Sequence, residues 1–278
     1  MNFECILYDK KQGIATIKLN RPRVLNAMNK QLWLDVQKAL QGAGNDPAIK
    51  VLVITGEGRA FSTGADLKES KTRSLEAYRD YLVELQETSR RIIRFEKPTI
   101  AAINGYALGS GYELALACDI RIAADEALIG SPEAKVTSSV TGGAMRLVQD
   151  LIGPGKAREL LFTADTIDGR EAARIGLVNT SVPLEELMSA AQEMAQKIAA
   201  NSAFSLKMIK KGLLNGGYGD IPVITASFRK LNATQQPGFQ INRLKLISLV
   251  LSSLLVADQL IRMHHAVAVR EKSSGESL

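Results

Sequence analysis

Apolar residues in this chain come as short unbroken runs, separated by stretches in which they recur at helical spacing. Val51-Leu52-Val53-Ile54, followed by Thr55-Gly56, is one such run. Thr99–Ile103, between Pro98 and Asn104-Gly105, is another. Short, partly β-branched runs bounded by turn residues predict strands covered on both faces. Cys5–Tyr8 and Gly13–Leu19 read as two further strands, joined by a turn at Lys10–Gln12 and ended by Asn20-Arg21-Pro22. Asn29 is placed to cap a helix carrying Leu32, Trp33, Val36, Ala39 and Leu40 on one side. Gly42–Pro47 reads as a break and Glu57–Gly64 as a loop; a helix, polar on one face, is predicted from about Leu75 to Arg94. Ile120–Ala124 and Leu177–Val182 continue the strands. Strand followed by helix, repeated, predicts an α/β fold with parallel strands and helical crossovers.

Composition changes this picture little. The chain has 278 residues, 46% hydrophobic and 23% charged, which suits one large globular domain or one plus an appendage. A net charge of +6 suits phosphate-bearing small ligands and leaves weak nucleic-acid binding open, as does the Lys207–Lys211 cluster, K-M-I-K-K. Two cysteines, Cys5 and Cys118, give neither a disulfide framework nor metal spacing, and Cys118 reads as core. Charged residues at Glu4, Asp9, Lys10 and Lys11 leave no hydrophobic signal region, so a cytoplasmic protein is expected. The only histidines are His264 and His265. A Ser/His triad, a His-rich zinc site or a His base in the body of the fold is thereby excluded, leaving carboxylates, lysines or tyrosines for acid–base work.

Three segments carry candidate chemistry. In P-T-I-A-A-I-N-G-Y-A-L-G-S-G-Y-E-L-A-L-A-C-D, Pro98–Asp119, a buried strand, a glycine-rich turn and a helix follow one another. Gly109 and Gly111 flank Ser110, so backbone N–H groups at a helix N-terminus can approach a developing oxyanion, with Glu113 close by. The third glycine of a dinucleotide fingerprint is missing, with Leu114 in its place, and no phosphate-loop lysine follows. A plain turn with Glu113 at a favoured helix start is the competing reading. The second segment is F-S-T-G-A-D-L-K-E, Phe61–Glu69: Asp66 and Glu69 resemble a helix-start pair, and the N–H of Ala65 is available to a ligand oxygen. The third is I-G-S-P-E-A-K, Ile129–Lys135, with Ser131 as N-cap, Pro132 at the first helical position and Glu133 behind it. Capped helix starts alone would explain both. A second glutamate in a chain without usable histidine weighs toward two-carboxylate chemistry.

In order and spacing these segments resemble the enoyl-CoA hydratase/isomerase (crotonase) superfamily. N-R-P-R-V-L-N-A-M at Asn20–Met28 and R-E-A-A-R-I-G-L-V-N at Arg170–Asn179 fit it too, and the likeness runs to roughly Gly216. The resemblance implies a crotonase-like α/β spiral of ββα units over 1–200 holding an acyl-CoA site. It implies a helical trimerisation region over 201–278, and so a homotrimer or dimer of trimers. It further implies acyl-coenzyme A thioesters as substrates, as in fatty-acid β-oxidation, with no separate cofactor and no metal. Carried over by position, the N–H groups of Ala65 and Ser110 form the oxyanion hole. Ala65, Asp66, Leu67 and Lys68 line the coenzyme A and thioester site, and Arg23 falls near its nucleotide end. Glu113 and Glu133 take the two acid/base positions of the family's hydratases. Two retained glutamates favour a hydratase. An isomerase or another acyl-CoA lyase of the superfamily is the alternative, and an RNA-binding protein on the same scaffold a third.

The chain also departs from the pattern. Ser110 stands where the family usually has glycine, and Lys135–Leu147 is about one residue short, lacks the usual proline, and carries Ser138, Ser139 and Thr141. From about Ser227 the family's closing helices are not recognisable, and whether this tail is native or frame-shifted stays open. Its apolar run, Leu244–Ala257, is shorter than the roughly 20 residues that a membrane span needs, and reads as a buried or interface helix.

Overall fold

Residues 2–214 are described in a computed structural model of the chain. The tail from 227, its apolar run and both histidines lie outside the described residues.

β1 (Ile6–Lys11) and β2 (Ile14–Leu19) form an antiparallel hairpin in which Ile6 faces Leu19. α1 (Lys30–Asn45) follows, with the Asn29 carboxamide oxygen accepting from the Leu32 N–H at 2.9 Å. Its buried face carries Leu32, Trp33, Val36, Ala39 and Leu40, as the spacing predicts. The break expected at Gly42–Pro47 comes later, because α1 runs on to Asn45. Ala43 is buried there, and the Lys97 ammonium donates to the carbonyls of Ala43 and Asp46, both at 2.6 Å. Packing and those two bonds outweigh the low helix propensity of the flanking glycines.

Three ββα units then repeat. β3 (Val51–Gly56) and β4 (Ala60–Ser62) precede α2 (Leu67–Thr72) and α3 (Leu75–Ile93). β5 (Thr99–Ile103) and β6 (Tyr106–Leu108) precede α4 (Ser110–Ala117). β7 (Ile120–Ala124) and β8 (Ile129–Gly130) precede a 3-10 turn at Pro132–Val136 and α5 (Ala144–Thr163), which is kinked at Gly153-Pro154. The chain continues through β9 (Thr166–Ile167), α6 (Gly169–Arg174), β10 (Thr180–Val182), α7 (Leu187–Ala199) and α8 (Ala203–Leu214). The first strand of each unit joins a six-stranded sheet ordered β1-β2-β3-β5-β7-β10, parallel from β2 onward. The second joins a smaller sheet ordered β4-β6-β8-β9. Chain alternation between two sheets is the spiral that the resemblance implies. β3 and β5 are buried at every position, as their unbroken apolar runs predict. β4 and β6 fall inside stretches read as loop and turn: three residues each are too few for periodicity to register. The strand expected over Leu177–Val182 is only its second half, β10.

The Lys207–Lys211 cluster does not form a basic face. Lys210 is buried and donates to the Asp119 carboxylate at 2.7 Å and to the Lys97 carbonyl at 3.2 Å, tying α8 to the starts of β5 and β7. Lys207 pairs with Glu96.

Asn26 organises the entry to the smaller sheet. It is wholly buried and sits at φ 55°, a left-handed conformation that asparagine tolerates better than most residues. Its carboxamide accepts from the Arg21 N–H at 2.8 Å and donates to the carbonyls of Glu57 at 3.0 Å and Ala60 at 2.7 Å. Asn26→Ala strands three backbone groups, one buried and two partly buried, and is expected to cost roughly 2 kcal/mol of stability, read as a lowered urea midpoint at unchanged slope.

Candidate active site

The Asn26 clamp continues into the first site segment. Ser62, at the end of β4, donates its hydroxyl to the Asn26 carbonyl at 2.8 Å and accepts from the Gly64 N–H at 3.2 Å. On either side of Ala65, the Met28 N–H donates to Gly64 at 2.8 Å and the Asp66 N–H donates to Met28 at 3.1 Å. The neighbours' backbone groups are thus used, while the N–H of Ala65 meets no acceptor among the described residues. Asp66 caps α2 by accepting from the N–H groups of Lys68 and Glu69, and pairs with Arg21 at 2.9 Å. Burial would raise its carboxyl, but Arg21 and these donors outweigh burial and hold it below the usual carboxylate range. The predicted reciprocal pair is only half present, since the Glu69 carboxylate takes the Lys30 N–H and Arg73 instead. Leu67, Lys68 and Arg23 are exposed.

The second segment packs directly against the first. Gly64 has φ 90° and Gly109 φ 52°, values that disfavour any residue with a side chain. A Cβ on Gly64 would lie 3.2 Å from the Ser110 nitrogen and 2.9 Å from the Leu108 oxygen. A Cβ on Gly109 would lie 2.7 Å from a Glu133 carboxylate oxygen. Bare backbone at both positions therefore lets three chain segments meet. Ser110 opens α4, and its N–H, like that of Ala65, finds no acceptor among the described residues. All eight residues of α4 are buried, so its N-terminal partial positive charge points into a low-dielectric space.

Two carboxylates border this space. Glu113, on the first turn of α4, is 2% exposed. Burial pushes its carboxyl up to about 6, with the nearby Glu133 carboxylate adding to the rise and two hydrogen bonds from Thr141 opposing it. Those bonds come from the Thr141 N–H at 2.5 Å and its hydroxyl at 2.8 Å. Glu133 sits on the 3-10 turn rather than an α-helix, with Pro132 at its first position. Ser131 does not cap the turn as predicted, because its hydroxyl donates to the Glu133 carboxylate. A carboxylate is the stronger acceptor and wins the hydroxyl.

Sequence reasoning missed the wall opposite α4. The Tyr81 hydroxyl shares a hydrogen bond with the Ser110 hydroxyl at 3.3 Å, and the Arg73 guanidinium lies 3.7 Å above the Tyr81 ring centre. Ser89 is buried, and its hydroxyl has no partner among the described residues. Tyr81, Leu85, Thr88, Ser89 and Ile92 form the buried face of α3, a spacing visible in the sequence once that face is known to look inward. Of the loop ahead of α5, Thr141 reaches Glu113, whereas Ser138 and Ser139 are exposed.

Comparison with known proteins gives a consistent answer. Residues 9–217 match the family model described as enoyl-CoA hydratase/isomerase. The chain belongs to the enoyl-CoA hydratase/isomerase family. A relative named crotonyl-CoA hydratase, from Syntrophomonas wolfei, is 39% identical over 80% of this chain and 85% of its own length. A short-chain-enoyl-CoA hydratase from Clostridium acetobutylicum is 36% identical over 81% of this chain and 87% of its own. The crystal structure of an enoyl-CoA hydratase from Bacillus anthracis superposes with a TM-score of 0.79 at 34% identity, covering 84% of this chain and 92% of that one. The crotonase fold is thus shared with solved members of the enoyl-CoA hydratase/isomerase family.

The buried carboxyl yields a stability test for this family member. Unfolded, Glu113 titrates near 4.5, and folded near 6, so between those values the folded chain holds more of the proton. Stability is therefore greatest below the lower value and falls as pH rises through the upper one, by roughly 2 kcal/mol. Glu113→Gln cannot ionise. Its unfolding free energy from urea titration is expected to exceed that of the parent by about this amount at pH 7.5 and to match it at pH 4.

Proposed function

We propose that this protein is an enoyl-CoA hydratase, a hydro-lyase that adds water reversibly across the 2,3-double bond of a short-chain 2-enoyl-CoA thioester. The observation that carries this reading is the meeting of two acceptor-free backbone N–H groups, of Ala65 and Ser110, with two carboxylates, Glu113 and Glu133. Addition of water builds negative charge on the thioester oxygen. Two preorganised N–H donors, backed by the α4 dipole, stabilise that enolate, each by about 10²–10³ in rate. One glutamate removes a proton from the water as its oxygen bonds to C3. The other delivers a proton to C2, and the roles reverse in dehydration. A Glu113 carboxyl near 6 suits such exchange at neutral pH, where proton transfer in both directions has little driving force to overcome.

Substrate binding is assigned to the same segments. Ala65, Asp66, Leu67 and Lys68 line the coenzyme A and thioester path, with exposed Lys68 and Arg23 free to meet its phosphates. Coenzyme A is part of the substrate, and no separate cofactor is required by this chemistry. A homotrimer, or a dimer of trimers, in the cytoplasm completes the reading. No helix of the described residues is long and apolar enough to cross a membrane.

Incubation with 2-enoyl-CoA and 3-enoyl-CoA thioesters in deuterated water tests it. Formation of 3-hydroxyacyl-CoA carrying deuterium at C2 is expected, whereas double-bond migration without water addition would make the enzyme an isomerase. Glu113→Gln and Glu133→Gln are each expected to lower kcat by about 10²–10⁴ while acyl-CoA still binds, and near-normal turnover in either would remove that residue from the mechanism.

A further inference from the structure

Among the described residues, Glu113 is held by a single neighbour acting twice. The Thr141 N–H donates to one carboxylate oxygen at 2.5 Å and the Thr141 hydroxyl donates to the other at 2.8 Å. A carboxylate offers about four lone-pair positions, two on each oxygen. One residue thus occupies one position on each oxygen and leaves one on each. The loop can deliver this grip because the next residue is Gly142. A Cβ there would stand 2.8 Å from the Ser89 hydroxyl oxygen and 3.4 Å from the second Glu113 oxygen. We propose that Thr141 is a positioning residue for hydration: its N–H and hydroxyl together fix the Glu113 carboxylate, leaving one lone pair on each oxygen for the water and the transferred proton. This rests on the hydratase reading, and it gives a role to the shortened loop in which Thr141 lies.

The grip also sets where Glu113 titrates. From the Pro132–Val136 turn the Glu133 carboxylate faces it, from α3 the Tyr81 phenol, and from α4 itself the Tyr112 phenol. Burial pushes both phenols up, so they are neutral wherever a carboxyl titrates. On α5, Arg146 and Asp150 pair with each other at the surface. Against burial and Glu133, the donors from Thr141 are what favour the ionised form.

Thr141→Val keeps shape and N–H but removes the hydroxyl. Expected are a roughly tenfold fall in kcat at little change in KM, and a rise of the acidic limb of the pH–rate profile by about one pH unit. Thr141→Ser, which restores the hydroxyl, is expected to recover both. Carboxyl titration of Glu113 by 13C NMR in the resting protein gives a second readout that needs no turnover. An unmoved titration in Thr141→Val overturns the proposal, and so does a moved titration with parental kcat and pH profile. A parent that hydrates no enoyl thioester would instead overturn the hydratase reading, with the titration still deciding whether the grip exists.

Discussion

A helix with no solvent face must have both of its ends satisfied from within, and α4 meets that demand asymmetrically. At its C-terminus the buried Arg121 side chain donates to the Cys118 carbonyl at 2.6 Å, and it bridges from there to the Leu177 carbonyl ahead of β10 at 2.9 Å. Burial pulls the guanidinium below its usual range. Among the described residues the N-terminus has no such plug. Its leading donors are orphaned by helix geometry, and the backbone facing them, at Gly64 and Ala65, brings another free N–H. Most proteins cover such an end with a side-chain cap. Here Gly109 occupies the cap position and supplies none, and under the proposed function a ligand oxygen meets that demand.

The carboxylates extend the same tension. Glu113 is buried well enough that its own ionisation opposes folding. The fold tolerates this because Thr141 and Ser131 hydrogen-bond the two acids from loops that α-helix and sheet packing hold in place. Stability given up at a site in this way is a common cost of chemistry.

What the sequence reveals depends on how many residues share one physical task. β3 and β5 are buried at every position and announce themselves as apolar runs, and Asn29 announces α1 by its own cap. β4, β6 and β8 are two or three residues long and carry no period. The backbone segments at Gly64–Ala65 and Gly109–Ser110 were legible because positive φ and close approach demand glycine. The partners of the two glutamates were not. Thr141 lies 28 positions from Glu113, and nothing local distinguishes it from Ser138 or Ser139, which stay in solvent. Lys210 shows the same limit: a lysine beside two others reads as surface until the fold turns it onto Asp119.

The alternation of strands between two sheets has a consequence for how such a protein can change. Each site segment follows the second, small-sheet strand of its own unit: Gly64–Ala65 after β4, Gly109–Glu113 after β6, Ser131–Glu133 after β8. The site is therefore a column read down one edge of the spiral, one rung per turn. What the chain does between rungs, such as the α2–α3 excursion, can lengthen or contract without moving the column, whereas the loop ahead of α5 is tied to it through Thr141. Backbone that holds the column and side chains that reach it from between the rungs thereby sit on different coordinates of the same chain, and can drift at different rates.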